Sequence, residues 1–176
     1  SSGERIAPTR SASRGANAYA EIKGWGQASD GRGIVAPDPA GDGLARAMTS
    51  ALRDAALAPS DIDYINAHGT ATTAGDLAEL CAIKSVFTGA RTPKVSSTKS
   101  LTGHGLSFAG ALEAAICCLA LREEFMPVSA KIRRLDPACE GVEIITRPLP
   151  GSPRVALSNS SAFGGANVAL ILALPR

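Results

Sequence analysis

The chain has few aromatic residues and lacks a long apolar run. Aromatic residues make up 4% of its 176 residues, so we expect a core of Ala, Val, Ile and Leu side chains. No window reaches the apolar length that a membrane-spanning helix requires, which predicts no membrane association. The polar start of the chain has neither an initiator Met nor the apolar segment of a secretory signal. These absences predict a cytoplasmic protein that was processed, tagged or cut from a longer precursor.

The chain also lacks the cysteine spacing of a metal site or a disulfide framework. Its cysteines are Cys81, Cys117, Cys118 and Cys139, with no Cys-x-x-Cys pair and no histidine at metal-ligand spacing. Cys117 and Cys118 lie in an Ala- and Leu-rich helical pattern, where thiols are usually buried and free. We therefore expect four reduced thiols and no bound metal, as is usual in the cytosol.

The chain also carries little net charge. The formal net charge is +2, which is too small to indicate a nucleic-acid partner. One compact basic run contains Lys131, Arg133 and Arg134. Such a run is commonly a solvated face. The other interpretation is a docking patch for an acidic partner.

The hydrophobic pattern predicts alternating strands and helices. Residues 1–16 are interpreted as a flexible lead-in and residues 17–176 as one domain. The predicted strands cover residues 18–25, 62–67, 94–97, 141–146, 155–158 and 167–174. Residues 27–43 are predicted to form a loop. The predicted helices run from residue 42 or 43 to 55, from 74 to 87 and from 109 to 122. Leu77 is expected on the buried stripe of the second helix, and the third helix, which is nearly apolar all round, is expected to be buried on most sides. Apolar strands without clean alternation are typical of an α/β sheet that is covered by helices.

The two histidines of the chain each lie in a loop of small residues. His68 follows one predicted strand, and His104 follows the next. A third loop of small residues, 159–167, leads into the last predicted strand. Loops that follow the strands of an open α/β sheet meet at one edge, where such folds place ligands. The sequence therefore predicts one site that contains both histidines.

Three motifs carry a resemblance to a known family. They are NAHGTATTAGD (66–76), STKSLTGHGLSFAGALEA (97–114) and NSSAFGGAN (159–167). In order and spacing they resemble the C-terminal signatures of β-ketoacyl-[acyl-carrier-protein] synthases of the thiolase superfamily. The resemblance implies a thiolase-like C-terminal half in residues 17–176, a mixed sheet covered by helices. In the family two such halves form an α-β-α-β-α sandwich.

The resemblance also implies a reaction. Family members use a Cys-His-His triad for decarboxylative Claisen condensation of malonyl-carrier protein with an acyl thioester. His68 and His104 match the two family histidines, and Lys99 and Glu113 match a buried ion pair near the second. No separate cofactor is implied, because the substrates are carried on the phosphopantetheine of the carrier protein.

Three further residues match binding positions of the family. Thr70 and Thr72 resemble threonines that bind the phosphopantetheine arm, although Thr72 is also placed to cap the following helix. Phe163 resembles the gating phenylalanine whose backbone N–H completes the oxyanion hole. The alternative for Phe163 is a core side chain in a glycine turn.

The family nucleophile is not found in this chain. No cysteine has its context, a helix-opening turn in the N-terminal half. The implied partners are therefore an N-terminal half that carries this cysteine and an acyl carrier protein, in a homodimer or heterodimer of the complete synthase. A non-catalytic subunit that resembles a chain-length factor is the alternative function, and a degradative thiolase fits less well. Fatty-acid and polyketide synthesis are not separated by these residues.

Overall fold

The computed structural model describes residues 14–175, so most of the predicted lead-in lies outside the described residues. The strands are β1 (Glu21–Ser29), β2 (Tyr64–Asn66), β3 (Lys94–Ser96), β4 (Phe125–Met126), β5 (Glu143–Ile144), β6 (Leu149–Pro150), β7 (Val155–Ala162) and β8 (Ala166–Ala173). The helices are α1 (Asp42–Ala55), α2 (Thr73–Phe87), α3 (Lys99–Thr102) and α4 (Ala109–Arg122). Among these described helices, none has the length and apolar character needed to cross a membrane.

One mixed sheet organises the molecule. Its six strands have the order β1-β8-β7-β2-β3-β5, and β4 pairs separately with β6. The neighbours β7, β2, β3 and β5 are parallel, whereas β8 is antiparallel to both β7 and β1. The carboxyl ends of β2 and β3 therefore lie at the same sheet edge, and both histidine loops leave from that edge.

Helices cover both faces of this sheet, as expected. On one face, α1 and α2 enclose an aliphatic core that includes Met48, Ile65, Ile83 and Ile171. On the other face, Tyr64 and Ile145 pack with Cys117 and Leu121 of α4. The alternation of Tyr64 and Ile65 between the two faces is the period of an extended strand.

The helix α1 lies unusually close to β1. A Cβ atom on Gly26 would lie 2.3 Å from the carbonyl oxygen of Ala47, and one on Gly24 would lie 2.5 Å from the amide nitrogen of Ala55. Only glycine at these two strand positions allows the backbones to approach this far. The approach buries the Ala-rich face of α1.

Several predicted bounds are wrong. The first strand ends at Ser29 instead of residue 25, so the following loop is shorter than predicted. The third predicted loop, 159–167, is mostly a hairpin, because β7 and β8 pair antiparallel as far as Ala162 and Ala166. The short helix α3 was not predicted, and Leu77, predicted to be buried, is 41% exposed.

The helix α4 has the predicted bounds but not the predicted burial on most sides. Glu113, Cys117 and Leu121 face the sheet and are buried. On the opposite side Ala111, Ala115 and Leu119 are exposed. The helix α4 thus has an apolar face that is exposed to solvent in the described part of the chain.

Candidate active site

The structure brings the two histidines together at the carboxyl edge of the sheet. His68 follows β2, and His104 follows α3, which begins just after β3. Their ring centroids are 5.5 Å apart, and the ring planes make an angle of 84°. This spacing leaves room for both imidazoles to contact a single substrate atom.

A buried carboxylate holds the His68 loop. Glu79 accepts the backbone N–H of His68 at 2.9 Å and that of Gly69 at 2.8 Å, one on each oxygen. Asn159 of β7 donates its side-chain amide to the same carboxylate at 3.2 Å. Sequence reasoning missed Glu79, which is 6% exposed. The available signal was its position on the buried stripe of α2, four residues before Ile83.

Several neighbours keep the His68 imidazole neutral. Burial, the Lys99 ammonium and His104 lower the pKa of His68 to about 4, with burial the largest effect. Its Nδ1 atom is buried and has no hydrogen-bond partner within residues 14–175. The Nδ1 atom of this neutral imidazole is therefore available for a hydrogen bond with a substrate.

The tautomer of His104 follows from one backbone contact. The N–H of Leu106 donates to Nδ1 of His104 at 3.3 Å. A neutral imidazole that accepts at Nδ1 carries its proton on Nε2. Leu106 adopts a positive φ of 52° at this turn. The local backbone thus leaves the Nε2–H of His104 as the donor.

Lys99 and Glu113 form a buried ion pair. Lys99 opens α3 and Glu113 lies in α4, and the ammonium donates to Oε1 of the carboxylate. The two residues are 8% and 2% exposed. Burial raises the pKa of Glu113, while the hydrogen bond and charge of Lys99 oppose that effect. The pair joins α3, which ends two residues before His104, to the long helix α4.

The threonines lie beside His68. The side-chain oxygens of Thr70 and Thr72 are 3.1 Å apart and share a hydrogen bond. Thr72 precedes α2 but makes no capping bond with its side chain. Thr70 is half-buried and Thr72 is exposed, so a polar ligand can reach Thr72 from solvent.

Phe163 lies in the turn between β7 and β8 and is 78% exposed. The next residue, Gly164, donates its N–H to the carbonyl of Ile34 at 2.6 Å. Gly164 and Gly165 have φ values of 82° and 74°, which L-amino acids with a side chain rarely adopt. The ring of Phe163 is therefore not a core side chain of this chain.

The comparisons with known proteins identify the family and the fold of this chain. The family model described as the C-terminal domain of β-ketoacyl synthase matches residues 19–133. The chain belongs to the β-ketoacyl synthase family. This synthase domain is 48% identical over 159 residues to 3-oxoacyl-[acyl-carrier-protein] synthase 1 of Haemophilus influenzae, covering 90% of the chain and 38% of that protein. It is 45% identical over 157 residues to synthase 2 of Mycobacterium tuberculosis, covering 89% and 37%.

Solved structures show the same fold. The ishigamide ketosynthase/chain length factor is 38% identical, with a TM-score of 0.88 over 94% of this synthase domain and 40% of that chain. A β-ketoacyl synthase from Burkholderia phymatum is 34% identical, with a TM-score of 0.86 over 96% and 41%. The predicted thiolase-like fold is confirmed, and the domain spans about two fifths of its relatives.

Proposed function

We propose that this chain is the histidine-bearing part of a 3-oxoacyl-[acyl-carrier-protein] synthase that condenses malonyl-carrier protein with an acyl thioester. The observation that carries this proposal is the facing pair of His68 and His104, 5.5 Å apart at the sheet edge. Its support is chemical: one ring is held neutral, and the other presents a defined N–H donor.

In the proposed reaction, negative charge develops on a substrate oxygen that both histidine rings contact. When malonyl thioester loses carbon dioxide, the electrons of the broken C–C bond move into the thioester and form an enolate. Hydrogen-bond donors fixed in advance at the enolate oxygen stabilise that charge as it develops. The enolate carbon then attacks the acyl group on a cysteine, and the cysteine leaves as the thiolate.

That cysteine is expected in the part of the synthase that this chain does not cover. Cys81 lies in α2, Cys117 and Cys118 in α4, and Cys139 in the turn at residues 137–139. Burial raises the pKa of Cys117, the opposite of what a nucleophilic thiol needs. The exposed face of α4, with Ala115 and Leu119, is the surface we assign to the rest of the synthase.

The remaining residues receive supporting roles in this proposal. Lys99 and Glu113 position the His104 loop. Thr70 and Thr72 bind the polar phosphopantetheine arm, and Phe163 controls entry of the acyl chain. The assembled synthase is proposed to be a homodimer or heterodimer that receives its substrates from an acyl carrier protein. One solved relative is described as a ketosynthase in complex with its acyl-carrier protein.

A specific observation also favours a second function. Two solved relatives are described as a ketosynthase with a chain length factor. We therefore keep a non-catalytic chain-length-factor role as the second candidate. The test is an assay of malonyl-carrier decarboxylation and condensation with the complete synthase. Activity that requires His68 supports the enzyme, whereas activity supplied entirely by the histidines of a partner chain supports the second role.

The pH dependence of His68 gives a direct check on the site. The folded pKa of about 4 lies below the ordinary value of 6.5, so the unfolded chain takes up this proton first as the pH falls. The contribution of His68 to stability is therefore present above pH 6.5 and is lost between about pH 6.5 and 4. We expect NMR titration of the ring carbons to show His68 neutral down to about pH 5.

The control for this titration is His68→Gln. The unfolding free energy of the wild-type chain minus that of this variant is expected to fall as the pH falls through the same window, because only the wild-type chain carries the buried imidazole. Taking the difference removes the opposite contributions of Asp76, Glu79 and Glu113, whose pKa values burial raises. A His68 ring that becomes protonated near pH 6.5 would contradict the environment described above.

The basic run is a proposed contact for the acidic carrier protein. Lys131, Arg133 and Arg134 are exposed and form no ion pair within residues 14–175. Reversing all three charges is expected to raise KM for malonyl-carrier protein by about tenfold and to leave KM for malonyl-CoA unchanged, because rim charges act mainly on encounter. If KM changes equally for both substrates, or for neither, the basic run does not bind the carrier protein and is a solvated surface.

A further inference from the structure

One serine connects the two segments that carry the histidines. The hydroxyl of Ser97 donates to the carbonyl of Gly69 at 2.8 Å, and Gly69 directly follows His68. Ser97 itself lies two residues before Lys99, on the segment that continues to His104. A single side chain thus links the backbone beside one histidine to the backbone that leads to the other.

Hydrogen bonds to the segment after β4 fix the backbone of Ser97. Its backbone N–H donates to Oγ of Ser129 at 2.9 Å, and Ser129 is buried. The backbone N–H of Ser129 in turn donates to the carbonyl of Ile145 at 2.8 Å. One turn later, Oγ of Ser100 accepts the N–H of Ala130 at 2.8 Å. The segment after β4 therefore anchors the start of α3 at two points.

The contact between Ser97 and Gly69 is also close. A Cβ atom on Gly69 would lie 2.6 Å from Cβ of Ser97 and 3.0 Å from its hydroxyl oxygen. Gly69 donates its N–H to Glu79 and accepts the Ser97 hydroxyl at its carbonyl. Gly69 is thus fixed on both sides, by α2 on one and by the His104 segment on the other.

We infer that Ser97 is a positioning residue for decarboxylation, because its bond to Gly69 sets the separation of the His68 loop from the segment bearing Lys99 and His104. This inference rests on the proposed function of the histidine pair. Both rings must reach one oxygen, so a small displacement of either loop lowers the rate. No atom of Ser97 is assigned to the substrate.

The test compares Ser97→Ala with two further variants in the complete synthase. Ser97→Thr keeps the hydroxyl donor. Ser85→Ala is the matched control, since Ser85 also donates to a backbone carbonyl, that of Ala82 at 2.9 Å, but lies within α2. Ser97→Ala is expected to lower kcat for malonyl-carrier decarboxylation about tenfold with KM changed less than about twofold. Ser97→Thr is expected to retain most of the wild-type kcat, and Ser85→Ala is expected to retain all of it.

Histidine NMR of the chain gives a second readout that needs no activity. The chain contains two histidines, so the ring resonances are simple to assign. In Ser97→Ala both ring signals are expected to shift, and the His68 titration is expected to move from acidic pH toward its ordinary range. Ser85→Ala is expected to leave both signals unchanged.

The outcomes separate this inference from the proposed function. Wild-type kcat and unchanged ring signals in Ser97→Ala, in an enzyme that still requires His68, would overturn the inference alone. An equal loss of rate in Ser97→Ala and Ser85→Ala would also overturn it, since that loss reports stability. Decarboxylation independent of His68 would instead refute the proposed function, and the ring signals would still decide whether Ser97 sets the histidine geometry.

Discussion

Replacement of His68 or His104 by alanine is expected to lower the rate of malonyl-carrier decarboxylation in the complete synthase by about two to three orders of magnitude. A preorganised donor at a developing oxyanion contributes about this much to a rate. The two rings are 5.5 Å apart and face the same site, so they are expected to act as a unit. The double variant should therefore be little slower than either single variant. Release of carbon dioxide from malonyl-carrier protein measures this step directly.

The control separates chemistry from folding. Ser85→Ala removes a side-chain hydrogen bond in α2 and is expected to keep full activity. Thermal unfolding of the histidine variants should remain close to that of the wild type, because His68 and His104 contribute no core packing. If both single variants decarboxylate at the wild-type rate, the chain does not supply the oxyanion donors, and the chain-length-factor role becomes the better account.

The elements that sequence analysis predicted well are those with a strong period. Leu44, Met48 and Ala51 recur at helical spacing, and α1 follows them. The bounds 109–122 of α4 were predicted correctly because an Ala- and Leu-rich run has few competing conformations. The meeting of both histidine loops at one edge followed from the parallel order of the strands they leave.

The elements that were missed depend on contacts between distant residues. The residues of β7 beyond Ser158 are small and polar, typical of a loop, and only pairing with β8 makes them a strand. Ser161 and Asn167 are directly opposite in that hairpin, and their side chains share a hydrogen bond of 2.7 Å. Glu79 was missed for a similar reason, since its partners lie on β7 and on the His68 loop.

Breaking the buried ion pair is expected to have the largest effect on stability. Lys99→Met would leave the Glu113 carboxylate buried without its partner, at a cost of about 3–5 kcal/mol in the free energy of unfolding. Urea unfolding of the chain measures this cost. Loss of Lys99 removes the effect that opposes the raised pKa of Glu113. The destabilisation should therefore decrease as the pH falls and Glu113 becomes protonated.

Two comparisons show whether burial is the cause. The pair of Lys94 and Glu143 lies at the surface of β3 and β5, with side chains 33% and 54% exposed, so Lys94→Met should cost less than about 1 kcal/mol. The double variant Lys99→Met/Glu113→Leu removes both buried charges and should recover most of the stability lost in Lys99→Met, because apolar side chains of similar volume need no desolvation. If the double variant is as unstable as the single one, the cost arises from packing around α3 and not from an unpaired charge. If the double variant recovers stability but not decarboxylation, the function of the buried pair in this synthase domain is to position His104.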